Sequence, residues 1–180
     1  MQPLTVTHRF TGEEITFLET AAATNGTHLL IEVVLPPFGD GPPLHCHDAF
    51  IETFTVVEGI LTVTVDDKKH ELSATECLTA PRHTPHTFTN NHETPVRFHV
   101  HLTPPSQFEQ SIRIHYGLMA DGFTNEQGVP TNIFHLFYIL HLQNTLIAGK
   151  SMWLQRLLFR FGTAIGQAFR MYAPLKKYIQ

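Results

Sequence analysis

Gly39-Asp40-Gly41-Pro42-Pro43-Leu44-His45-Cys46-His47-Asp48-Ala49-Phe50-Ile51-Glu52, continuing Thr53-Phe54-Thr55-Val56-Val57-Glu58-Gly59, combines strand-forming residues with closely spaced metal donors. His45 and His47 are two apart, so on a β-strand both imidazoles project from one face. Glu52 stands at the start of a β-branched run, and a bend at Asp48-Ala49 would bring its carboxylate back beside the histidines. A second segment, Pro81-Arg82-His83-Thr84-Pro85-His86-Thr87-Phe88-Thr89-Asn90, can supply a third imidazole from a neighbouring strand. Three nitrogens and one carboxylate oxygen suit a divalent first-row metal and leave room for water or substrate in an octahedral shell.

The two stretches resemble the paired motifs of the cupins. The first motif is Gly, five residues, His-x-His, three or four residues, Glu, six residues, Gly, and Gly39, His45, His47, Glu52 and Gly59 match it throughout. The second runs Gly, five residues, Pro-x-Gly, two residues, His, three residues, Asn. Pro81, His86 and Asn90 match, while Thr75 and His83 stand where the family has glycine. Either the turn holds histidine in a left-handed conformation or its shape has changed. The resemblance covers residues 1–104 and implies a mainly β fold, a double-stranded β-helix or jelly-roll barrel. Its interior would hold one divalent transition metal ion on His45, His47, Glu52 and His86. Iron, manganese, nickel, cobalt, copper and zinc all accept such a shell.

A chain of 180 residues with 42% hydrophobic content can bury one domain, or one domain plus an appendage. The opening Met1-Gln2-Pro3-Leu4 lacks a basic start followed by an apolar core, so no secretory signal is expected. Two cysteines, Cys46 and Cys77, make no disulfide framework, and a reducing cytoplasm is the expected compartment. Strand alternation turns Cys46 away from the metal donors, as a buried thiol. All 16 acidic residues lie at or before Glu126, with six of the 12 Lys and Arg, for a net −10. The rest of the chain carries the other six cations and no acid, a net +6. An acidic barrel and a tail without a dense basic block argue against nucleic acid.

Strand character runs over residues 6–10, 14–19 and 28–35, with turns at Thr11-Gly12 and Asn25-Gly26. Residues 60–65 and 70–72 suggest a hairpin around Asp66-Asp67-Lys68-Lys69, and 87–90 with 95–102 another around Asn91-His92. Arg97, His99 and His101 alternate with Phe98, Val100 and Leu102. If Asn91-His92 is a two-residue hairpin loop, those three polar residues share the His86 face and line the pocket. A loop one residue different turns them out. His8, His28, His70 and His92 sit near turns or strand ends, and His135 and His141 lie in an apolar run where packing explains them.

After Pro104-Pro105 the pattern turns helical, so residues 105–180 are expected to form a C-terminal helical extension. Ser106 can cap a helix to about Ala120, with further helices over residues 133–148 and 152–172. The last carries Trp153, Leu154, Leu157, Leu158, Phe161, Ile165 and Phe169, interrupted by Arg156, Arg160 and Arg170. Mid-helix arginines make a transmembrane span a poor reading. The helices are expected to pack on the barrel or on a partner subunit. The other reading places a basic amphipathic helix on an anionic membrane surface or over an apolar pocket. The barrel itself is expected to close without this tail.

Fold alone decides no reaction. The leading expectation is a metal-dependent enzyme on a small organic molecule, an oxidoreductase similar to the quercetinase-like dioxygenases among the cupins. Glu52 would double as catalytic base. The alternative is a non-catalytic binding or sensing module whose metal holds ligand or braces the barrel. Cupin barrels commonly pair through sheet edges, so a homodimer is expected.

Overall fold

The computed structural model describes residues 4–179. Met1, Gln2 and Pro3 of the opening stretch, and Gln180 of the tail, lie outside the described residues. Ten strands precede the first helix: β1 (Thr5–Thr7), β2 (Glu14–Glu19), β3 (Leu29–Leu35), β4 (His45–His47), β5 (Ile51–Glu58), β6 (Ile60–Val65), β7 (Lys68–Ser73), β8 (Cys77–Ala80), β9 (His86–Thr89) and β10 (Val96–Thr103). Then come α1 (Phe108–Ala120), α2 (Ile133–Gln143), an eleventh strand β11 (Thr145–Ile147), α3 (Met152–Ala168) and a 3₁₀ turn over Ala173–Tyr178.

The strands form two antiparallel sheets, ordered β1-β2-β3-β10-β5-β8 and β11-β4-β9-β6-β7. Strict alternation explains why they close on each other. In β3 every second residue from Leu29 to Leu35 is buried, and in β10 the buried set is Val96, Phe98, Val100 and Leu102. Phe17, Phe50, Phe54 and Phe98 are the bulkiest fully enclosed side chains. Each such ring stabilises the fold by about 1.5–3 kcal/mol relative to leaving it in water. This is the expected mainly β jelly roll followed by helices.

Several local expectations are corrected. The Asp66-Asp67 turn has two residues, both at positive φ, and Lys68 and Lys69 already belong to β7 opposite Val65 and Thr64. That is the mirror-image turn whose twist suits a hairpin. Residues 87–90 and 95–102 do not form a hairpin: β9 pairs with β4 and β6, while β10 pairs with β3 and β5. The chain switches sheets between them. Asn90 holds that corner, donating to the Pro36 and Thr94 carbonyls and accepting from the His92 N–H.

The tail differs most. Helix α2 stops at Gln143 because Asn144 takes a left-handed conformation, φ 55°, and the chain then runs as β11 along β4. Asparagine tolerates that conformation at a helix end better than other side chains with a Cβ. The tail therefore supplies the edge strand beside the histidine strand, and the division at residue 104 is not a division of the sheet. Leu146 and Phe159 cover Cys46 on the side away from the barrel interior. Ile114, Leu118, Ile139, Leu142, Tyr172 and Leu175 join the helices to one another.

Candidate metal centre

Register places the four donors. His45 lies opposite His86 across β4 and β9, so their rings enter the barrel from adjacent strands. The bend after His47 redirects the chain, and Glu52 enters on β5 of the facing sheet, opposite Ala80. Nε2 of His45 and His47 are 3.1 Å apart, and His86 Nε2 is 3.0 Å from Glu52 Oε2. His47 Nε2 lies 3.8 Å from Glu52 Oε1. All four ligand atoms fall within 4.8 Å of one another, and all four residues are buried.

The other nitrogen of each ring is tied down. Nδ1 of His45 lies 2.8 Å from the Pro43 carbonyl, that of His47 3.1 Å from the Asn144 carbonyl, and that of His86 2.9 Å from the Thr84 carbonyl. A carbonyl only accepts, so each Nδ1 carries a proton, and each ring, when neutral, presents an Nε2 lone pair to the centre. The lone pairs of His45 and His47 then face each other at 3.1 Å, which is unfavourable unless a cation lies between them. The donor set therefore fits a metal ion, and the backbone carbonyls fix the tautomer such an ion needs.

Electrostatics agree. Burial, then the neighbouring His47 and His86, press the His45 imidazole down to about 3. Burial likewise lowers His47. Burial alone would raise the Glu52 carboxyl, but the His86 hydrogen bond and the three imidazoles hold it at about 2. His86 goes the other way: burial disfavours its charge, and the Glu52 hydrogen bond and charge more than offset that, raising it. Without an ion, a proton shared by Glu52 and His86 takes the ion's place.

Arg97, His99 and His101 are brought nowhere near this centre. They lie on the outer face of β10, where Arg97 pairs with Glu58 and Glu32, His99 with Glu32, and the His101 ring lies 4.8 Å from that of His28. The pocket-lining reading is corrected, and the cause is the sheet switch. With β9 and β10 in different sheets, the hairpin register that would align His86 with Arg97 does not exist. Thr75 and His83 hold φ of 76° and 65°, so both keep the left-handed backbone of the glycines they replace. The His83 N–H donates to the His47 carbonyl at 2.7 Å.

Asn144 is the residue beside this centre that motif reading missed. Its carbonyl orients His47, its Oδ1 accepts from the Asp48 and Ala49 N–H groups, and its Nδ2 donates to Asp48. Asp48 in turn pairs with Arg156 of α3 at 2.6 Å. The available signal was an Asn before the strand-like Thr145-Leu146-Ile147.

Residues 31–102 match the Cupin domain family, and the barrel that carries the four donors is a cupin domain. The similar solved structures include the following three. A sugar phosphate isomerase from a cupin superfamily of Silicibacter pomeroyi is 25% identical, with 52% of this chain and 60% of that chain aligned and a TM-score of 0.47. The polyketide cyclase RemF of Streptomyces resistomycificus is 22% identical over 57% of this chain and 74% of its own, TM-score 0.49. An RmlC-like cupin from Shewanella frigidimarina is 20% identical over 58% and 95%, TM-score 0.48. This chain thus spans less than two thirds of the Silicibacter protein. A search of curated proteins finds no match.

Proposed function

We propose that His45, His47, Glu52 and His86 bind one divalent transition metal ion, and that the protein is a metal-dependent enzyme acting on a small organic molecule, with dioxygenase chemistry as the leading class. The observation that carries the metal is the set of three imidazoles locked by carbonyls at Nδ1 with their Nε2 atoms turned on one carboxylate. A bound ion would supply Lewis-acid or redox chemistry. The chain's own contribution is orientation and proton handling. Glu52 divides its two oxygens between His86 and His47, so one can be held while the other accepts a proton. Phe50 stacks on His47 and Phe54 lies against His86, which keeps water from that side. The dioxygenase assignment rests on the motif resemblance and on a donor set that suits redox-active metals.

The second reading, a metal that braces a binding module, draws support from the burial of the donors, each no more than 5% exposed. Elemental analysis of anaerobically purified protein, followed by oxygen uptake with planar aromatic substrates, separates the two. Stoichiometric iron, manganese, nickel or copper with oxygen uptake supports the enzyme. Zinc, with stabilisation by ligand and no turnover, supports the module. A His47→Ala variant is expected to fold and lose most of its metal, and full metal occupancy in it would sink the site. Because metal uptake must displace the proton shared by Glu52 and His86, affinity is expected to rise with pH up to the raised value of His86. The slope is about tenfold per unit for one displaced proton. An affinity that stays flat with pH over the whole range in which the protein is folded would contradict that exchange.

Self-association through sheet edges, β1 or β8 of one sheet and β7 of the other, gives the proposed homodimer. Light scattering at micromolar concentration should return twice the chain mass, and a monomer refutes it.

A further inference from the structure

Helix α3 is inverted relative to an ordinary surface helix. Its narrow inner face, Phe159, Gly162, Thr163 and Gly166, is buried against the protein. Contact there is close: a Cβ at Gly162 would lie 2.2 Å from the Phe137 ring. The outward arc, about 160° wide by helical geometry, holds Trp153, Leu154, Leu157, Phe161, Ile165 and Phe169, all exposed. Trp153 is 69% exposed, Phe161 62% and Phe169 73%. Along one flank a groove of about 510 Å³ runs between Trp153, Leu157 and Phe161 on one side and Arg156 and Arg160 on the other.

We propose that this face docks on an anionic lipid bilayer surface, with α3 lying in the plane of the headgroups. Charge selects that occupant. From Gln127 onward the chain has six cations and no acid. Arg156 and Lys177 are committed to Asp48 and Asp121, whereas Lys150, Arg160, Arg170 and Lys176 have no carboxylate partner among the described residues. A second copy pairing face to face by a two-fold axis would cover apolar groups with apolar groups, but it would offer no carboxylate to Arg160 on the flank of that face, since the chain from Gln127 onward carries no acid. Anionic headgroups over acyl chains answer both the cations and the apolar arc. No helix among the described residues is long and apolar enough to cross a membrane, so the contact is with the surface.

Trp153 is the chain's single tryptophan and reports on this face directly. The full-length protein is titrated with phosphatidylcholine vesicles and with mixed phosphatidylcholine–phosphatidylglycerol vesicles. With the anionic vesicles alone, Trp153 emission should shift to the blue, be quenched by brominated acyl chains, and recover as salt is added. Arg160→Gln should weaken partitioning about fivefold, and Phe161→Ser about tenfold or more. Both sites are exposed, and circular dichroism verifies that each variant is folded. Emission unchanged by lipid overturns the proposal, as does equal binding to neutral vesicles or wild-type partitioning by both variants. It also fails if Trp153 is already shielded in a lipid-free dimer, for then a second copy covers the face.

Discussion

Deleting residues 131–180 is expected to cost the barrel at least about a hundredfold in metal affinity, although every metal donor remains. The deletion removes the Asn144 carbonyl that holds the His47 ring, and it strips β11 from the edge of β4. The Asp48 and Ala49 N–H groups lose their shared acceptor at the bend that carries the chain from His47 to Glu52. Cys46 loses the cover of Leu146 and Phe159. In the full-length chain, Asn144→Ala tests the same link more gently, keeping a carbonyl but forfeiting the side-chain clamp and the ease of a left-handed conformation. About a tenfold loss is expected. Asn144→Gly retains the backbone conformation and should fall between Ala and wild type. Competitive metal titration reads all three. Undiminished affinity in the truncated protein would return the barrel to the independence its motifs suggest.

Phe54→Ala is expected to destabilise the protein by about 3–5 kcal/mol, the cost of deleting a fully enclosed ring that its neighbours cannot refill. Phe54 is 0% exposed and packs between Phe88 and Phe98, with its ring 6.2 Å from that of His86. The loss should lower the melting temperature by about 10 °C in a chain of this size. It should also loosen His86, so affinity for metal should drop with stability. Phe54→Leu leaves a smaller cavity and should recover most of both. Denaturant unfolding checks the first effect. A Phe54→Ala protein as stable as wild type would mean that the two sheets do not share one close-packed interior.

The sequence alone determined what depends on local spacing. The two-residue interval fixed a common face for His45 and His47, and alternation in residues 29–35 and 96–102 fixed which side chains fill the barrel. The match of Gly39, Gly59, Pro81 and Asn90 to recurring turn positions set the order of the motifs along the chain. The sequence could not decide pairings between segments far apart, because the alternation of a strand is the same whichever neighbour it has. The supposed hairpin at Asn91-His92 shows the consequence: both strands exist, but they belong to different sheets, and Arg97, His99 and His101 face outward. The same limit hid Asn144. Its role needs β11 to lie along β4, about a hundred residues earlier in the chain, and residues 133–148 read as continuous helix until that pairing competes with it. The apolar residues of α3 were plain in the sequence. Only packing decided that Gly162 and Gly166 turn inward and leave Trp153, Phe161 and Phe169 to solvent, because a small-residue stripe permits the closest approach between helices.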